Sequence, residues 1–321
     1  MLFKNIYGQD KACKILEAHL REGRLASAYL FIGPDGIGKK LLAKRLAQIL
    51  NCENDFKGCQ ECVSCRKIEN NQHPDIHIID PTPDETQIKI ECIRQMQREI
   101  NLKPYEGKAK VFIINDAHKL NPDSSNALLK VLEEPPKNSL IILVTARPNL
   151  LFKTIISRCQ IIKFSSLSRE KLEGILRKDY RLDSRLAHLL AYFCEGRIGY
   201  ALRLLKEKRI LEDKNQFMDM FFSPRRIVLE NKLLEDKDQL RYLLNILVTF
   251  LRDIYLLKMG LSPLELINFD RKTELSVLAE HFSFMDLDHI FNFISDAFLY
   301  LEENVNPRLL LAYLKMELWR G

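Results

Sequence analysis

A chain of 321 residues has room for two or three domains, and 46% apolar residues can fill their cores, which excludes a disordered or low-complexity polypeptide. No run approaches the ~20 uninterrupted apolar residues of a membrane span, and the opening residues Met1, Leu2, Phe3, Lys4 and Asn5 lack the basic-then-apolar pattern of a secretion signal, so a cytoplasmic location without membrane contact is expected. Lys and Arg exceed Asp and Glu by 49 to 43, a net charge of +6 that is too slight to declare a nucleic-acid binder.

Short apolar runs predict strands at 28–32, 75–79, 110–114, 140–145 and 161–164, with helical patterns between most of them. That alternation predicts a parallel five-stranded sheet with helices on its faces. The first strand runs into Gly33, Pro34, Asp35, Gly36, Ile37, Gly38, Lys39 and Lys40, and then into Leu41, Leu42, Ala43, Leu46, Ile49 and Leu50 at helical spacing. The loop fits a P-loop up to its last position, with glycines that let backbone N–H groups point inward and Lys39 placed for the β- and γ-phosphates. The final position should be Ser or Thr, whose hydroxyl holds Mg²⁺. An ammonium at Lys40 cannot ligate a metal.

After the next helix come Cys52, Cys59, Cys62 and Cys65, with spacing C-x₆-C-x₂-C-x₂-C. Four soft thiolates in one short excursion of a cytoplasmic chain suit a closed, structural, tetrahedral Zn²⁺ module at 52–65, with an Fe–S cluster as the rival reading. Cys13, Cys92 and Cys194 read as ordinary small core residues. Further on, the strand at 110–114 should end in an Asp for Mg²⁺ and a Glu that polarises water, yet Asn115 and Asp116 stand there. Losses at Lys40, Asn115 and Asp116 point one way: negligible hydrolysis and no Mg²⁺ site, with nucleotide binding left open by the surviving Gly33, Gly36, Gly38 and Lys39. The alternative has Asp116 taking over the metal while Lys40 points to solvent. Lys103, Lys108, Lys110, Lys119, Arg147 and Lys153 read either as a positive surface for DNA or as a solvated face.

Beyond 165 the strand signals fade. Short amphipathic patterns (Leu172, Ile175, Leu176; Leu186, Leu189, Leu190) predict a small helical domain over 166–207. Leucine-rich runs at 240–259, 287–301 and 309–319 predict a third, all-helical domain over 208–321.

Taken jointly, the motifs resemble the AAA+ subunits of the bacterial replicative clamp loader. The resemblance rests on Tyr7-Gly8-Gln9, on Ala28-Tyr29-Leu30-Phe31 before the P-loop, and on the four-cysteine insert followed by His73-Pro74-Asp75. It continues through Glu106-Gly107-Lys108, Asn115 to Leu120, Asn126 to Pro136 with its Glu133-Glu134-Pro135-Pro136, and Ser157-Arg158-Cys159. It implies an AAA+ P-loop domain with a zinc module over 1–165, a helical lid over 166–207 and a helical collar over 208–321. It further implies that Arg158 is an arginine finger reaching the ATP of a neighbouring subunit. Thr145 falls at the family's first sensor. The second sensor, an arginine a few residues after a Glu-Gly pair, is replaced by Gly199 in Glu195-Gly196-Arg197-Ile198-Gly199. A subunit with its own site altered and the finger kept resembles the family's non-hydrolysing member, whereas its gamma/tau ATPase keeps all these groups. Leu251-Arg252-Asp253 and Asn304 to Leu309 resemble that member's collar. The partners so implied are the gamma/tau and delta subunits, the sliding clamp and, through the complex, primed DNA. An active gamma/tau-like ATPase and an AAA+ protein of recombination are the competing readings.

Overall fold

The computed structural model describes residues 2–3, 5–54, 57–81, 87–207, 210–222, 237–261, 266–303 and 305–318. Met1, Lys4, Asn304 and Trp319, all read in the sequence, lie outside them. The chain divides into two compact units, Met1–Ser168 with Gly196–Tyr200, and Arg169–Glu195 with Ala201–Gly321.

In the first unit the elements run α1 (Asp10–Arg21), β1 (Ala28–Ile32), α2 (Lys39–Asn51), α3 (Val63–Glu69), β2 (Ile76–Ile79), α4 (Ile90–Ile100), β3 (Lys110–Ile114), α5 (Pro122–Glu133), β4 (Ser139–Thr145), α6 (Lys153–Ile156) and β5 (Gln160–Lys163). The five strands form one parallel sheet in the order β2-β3-β4-β1-β5, as the alternation of apolar runs predicts. The sheet is covered on both faces, so its strands show continuous apolar runs in the sequence. Tyr29, Phe31, Val111, Ile113, Leu140 and Ile142 point to one face, under α1 and α2. Leu30, Phe112, Ile114, Ile141 and Leu143 point to the other, under α4 and α5. At about 1.5–3 kcal/mol for each such side chain, these two layers dominate the unit's stability and fix the register.

That register aligns the strand ends. Ile32 pairs with Thr145 and Ile114 with Leu143, so the P-loop, the Asn115-Asp116 pair and Thr145 emerge together at the carboxyl edge of the sheet. Open α/β sheets bind ligands along this edge.

The second unit is helical: α7 (Arg169–Lys178), α8 (Ser184–Phe193), the later part of α9 (Ile198–Glu207), α10 (Ile210–Phe222), α11 (Lys237–Lys258), α12 (Lys272–His281), α13 (Phe284–Glu302) and α14 (Pro307–Leu318). Asp183 caps α8 through the Arg185 and Leu186 amides, and Ser283 with Asp286 forms a capping box on α13. Leu240, Leu243, Leu244, Leu247 and Leu251 line one buried stripe of α11. No helix among the described residues is long and apolar enough to cross a membrane.

Candidate nucleotide site, exposed arginine and cysteine cluster

β1 delivers Gly33 to the sheet edge, where a Cβ would lie 2.7 Å from the Phe164 carbonyl oxygen; only glycine fits so close to the end of β5. Gly36 and Gly38 adopt left-handed conformations, φ 75° and 96°, that carry the chain round into α2. Lys39 is buried, and its Nζ donates to the Gly33 and Pro34 carbonyl oxygens at 2.5 and 2.6 Å. Burial lowers its pKa, with Asp35 and Asp116 opposing the shift. The lysine of the loop is thus folded back onto the loop itself. Lys40 points away from the cradle and pairs with both carboxylate oxygens of Asp80, just past β2, at 2.6 and 2.8 Å.

The remaining groups of the edge are also engaged locally. Asp116 sits in a left-handed conformation, φ 48°, with a carboxylate oxygen 3.9 Å from Lys119 Nζ. Thr145 is fully buried; its hydroxyl accepts from the Arg147 amide at 3.0 Å and lies 3.1 Å from His118 Nδ1. Gly199, where a sensor arginine would be expected, lies against the P-loop. Its amide donates to the Gly36 carbonyl at 2.6 Å, and a Cβ on it would meet that oxygen at 2.8 Å. A Cβ on Gly36 would in turn meet the Tyr200 amide nitrogen at 3.0 Å. Arg197, the nearby cation, stacks 5.0 Å from the centre of the Tyr200 ring.

Arg158 lies away from this site, one residue beyond the C-cap of α6. Its Nη2 donates to Glu133 Oε1 at 2.8 Å and its Nη1 to the Thr154 carbonyl oxygen at 3.0 Å, and its side chain is 36% exposed.

The four clustered cysteines converge: their Sγ atoms all lie within 4.8 Å of one another, Cys52 and Cys65 buried and Cys59 and Cys62 partly exposed. Four sulfurs about 2.3 Å from a tetrahedral metal would stand about 3.8 Å apart, so the spacing fits such an ion. Backbone N–H groups already point at sulfur: Cys59 to Cys52, Cys62 to Cys59 and Cys65 to Cys62, at 3.3–3.5 Å. Amides of Cys62 and Glu61 hold the Cys59 thiol down to about 6, favouring thiolate, whereas burial pushes Cys65 up. The cluster is tied to the sheet through Asn51. Its side-chain oxygen accepts from the Lys108 and Ala109 amides at 2.8 and 3.0 Å, and its backbone carbonyl accepts from the Ser64 hydroxyl at 2.7 Å.

Several residues differ from their sequence reading. Cys92 is exposed, because it lies on the outer side of α4, while Cys13 and Cys194 are core residues as expected. Lys110 is buried, with its Nζ 3.9 Å from Asp75, and so adds nothing to a positive surface; Lys103, Arg147 and Lys153 are exposed. Asp80, Glu133 and His118 carry no sequence signal as partners, being 40, 25 and 27 residues from the groups they contact. Asp75 is legible only as part of a motif. It accepts the amides of Tyr105, Glu106 and Gly107 at 2.7–2.9 Å, which hold its carboxyl below the usual range although burial raises it.

Residues 8–168 match the family described as DNA polymerase III, delta subunit, and residues 209–318 match that subunit's C-terminal family. The chain is similar to DNA polymerase III subunit delta' of Bacillus subtilis, 33% identical over 66% of this chain and 64% of that protein. It is also similar to subunit gamma of Buchnera aphidicola, 35% identical over 64% and 58%, and to subunit tau of Escherichia coli, 36% identical over 63% and 32%. The matched region thus spans less than two thirds of each relative. Among solved structures it is similar to a DNA polymerase III gamma subunit-related protein of Thermotoga maritima, 18% identical, covering 95% of this chain and 99% of that one, with a TM-score of 0.48.

Proposed function

The chain belongs to the DNA polymerase III delta-subunit family, and from that membership we propose that it is a delta-prime-like, non-hydrolysing subunit of an AAA+ clamp loader. In this reading it helps place the sliding clamp on primed DNA and lends Arg158 to the nucleotide site of a neighbouring gamma/tau subunit. The observation that carries the first half is the seat of Gly199 on Gly36. A sensor arginine there would have to displace a backbone hydrogen bond. The Lys39 bonds to Gly33 and Pro34, the Lys40–Asp80 pair and the occupied Thr145 hydroxyl support the same reading. Catalysis of phosphoryl transfer is almost entirely positioning and charge stabilisation, and here Lys39, Lys40 and Thr145 are each bonded within the protein. The partly exposed guanidinium of Arg158 supports the second half. In this role it would stabilise negative charge developing on a phosphate held by another chain.

For the cysteine cluster the reading is a structural Zn²⁺ held by Cys52, Cys59, Cys62 and Cys65. Four protein ligands leave no place for water, so the ion would supply cross-linking and no chemistry. For the domains the reading is a P-loop domain to 165, a lid to 207 and a collar beyond, the collar serving assembly with the gamma/tau and delta subunits; the two compact units divide the chain near the first of these boundaries only.

A gamma/tau-like ATPase is the second reading, favoured by the similarity to relatives named gamma and tau. Two measurements separate them. The purified chain should show no ATP turnover above buffer; turnover typical of a P-loop enzyme would establish the second reading instead. In an assembly reconstituted with gamma/tau and delta, Arg158→Ala should lower clamp- and DNA-stimulated turnover at the served site by about 10²-fold without dissociating the complex. Unchanged turnover would refute the finger.

A further inference from the structure

The Arg158–Glu133 pair is placed where a carboxylate is otherwise disfavoured. Glu133 is the last residue of α5, and carbonyl dipoles at a helix C-terminus repel negative charge. Among the described residues Glu133 makes no other ion pair, so helix stability does not account for the residue, whereas its bond to Arg158 does. The Thr154 carbonyl takes a second N–H of the same guanidinium and fixes its plane. The remaining N–H groups stay available to an incoming anion.

We propose that Glu133 is the resting partner of the finger, a positioning residue that turns engagement of the neighbour's nucleotide into a competition between one carboxylate and the terminal phosphate. The proposal rests on the finger reading above. A γ-phosphate brings up to two negative charges and three acceptor oxygens, and it outcompetes a single carboxylate. A nucleoside diphosphate ends one phosphate farther from the finger, and Arg158 then stays with Glu133. The contact therefore sets a threshold that only the triphosphate has to overcome: it weakens ATP binding and leaves diphosphate binding untouched. Both partners are partly exposed, at 36% and 52%, and such pairs correspond to about a two- to fivefold effect.

The test uses the reconstituted assembly with full-length variants of this chain. Glu133→Gln keeps the shape of the side chain and removes its charge. It should lower the KM for ATP about two- to fivefold and widen the ATP-over-ADP affinity ratio measured with fluorescent nucleotides by a similar factor, with ADP affinity, assembly and melting temperature unchanged. In the Arg158→Ala background the same substitution should have no effect. A KM that is unchanged or raised in Glu133→Gln, or an equal shift with and without Arg158, overturns the proposal. If Arg158→Ala lowers turnover while Glu133→Gln leaves KM alone, the resting contact falls and the finger stands. If Arg158→Ala changes neither turnover nor KM, both fall.

Discussion

Two glycines report on the same chemistry with opposite signs. A Cβ at position 199 would press on the Gly36 carbonyl oxygen at 2.8 Å and its carbon at 3.3 Å, with backbone on both sides and little room to yield. Gly199→Ala should therefore destabilise the chain by about 1–3 kcal/mol, seen as a lower urea midpoint. Gly174 lies inside α7, exposed, and a Cβ added there would meet nothing within 4 Å. Gly174→Ala should raise the same midpoint, by about 0.5–1 kcal/mol. At this scale the sequence is legible where chemistry is local. The glycine spacing, the lysine at 40 and the four cysteines are each patterns within a few residues. The partners Asp80, Glu133 and His118 are not legible, because each is chosen by the sheet's register and not by a neighbour in the chain. Cys92 departs from its reading for a related reason: an apolar residue type says nothing of which side of a helix it occupies.

Among elements, the strands are legible to within about a residue because burial on both faces leaves an uninterrupted apolar run, as in Val111 to Ile114. The helices α10 and α12 give weaker signals; α12 has few apolar positions, and in α10 a run of polar and charged residues from Glu212 to Gln216 interrupts the apolar spacing. Lys214 is fully buried and donates to both oxygens of Asp270 at 2.6 and 2.8 Å. Asp270→Asn would take the nearest carboxylate from a buried ammonium, at a cost of about 1–3 kcal/mol because Asp270 itself is 39% exposed, measured by denaturant unfolding, whereas the double change Lys214→Met with Asp270→Asn should recover most of it. The cysteine insert gives a second element-scale expectation. If the proposed Zn²⁺ is held there, treatment with a strong chelator should expose four titratable thiols and lower the melting temperature. Cys62→Ser should lower the melting temperature even before chelation, because it removes one of the four thiolates while its hydroxyl can still accept from the Cys65 amide and cap α3. A chain whose melting temperature ignores chelator would argue against a structural ion.

For the molecule as a whole, acid should act well above the carboxylate range. Burial holds His73, His77 and His118 below their usual 6.5 in the folded chain. The unfolded chain binds protons at about 6.5 that the folded chain refuses, so stability is full above that pH and is lost as pH falls from 6.5 toward the lowered folded values. The unfolding midpoint at pH 5.5 should accordingly lie below that at pH 7.5; equal midpoints would contradict the buried neutral rings. The fold is largely written in hydrophobic spacing, but a site shared between chains is only half written in either one. On the proposed reading Arg158 is legible through its motif, while the group it would meet lies in another chain. The Gly36–Gly199 contact also bears on redesign. On the proposed reading, an arginine placed at 199 would press its Cβ on the Gly36 carbonyl oxygen, and a hydroxyl placed at 40 would leave Asp80 without its cation. Restoring a nucleotide site in this chain would therefore take several coordinated changes, not one.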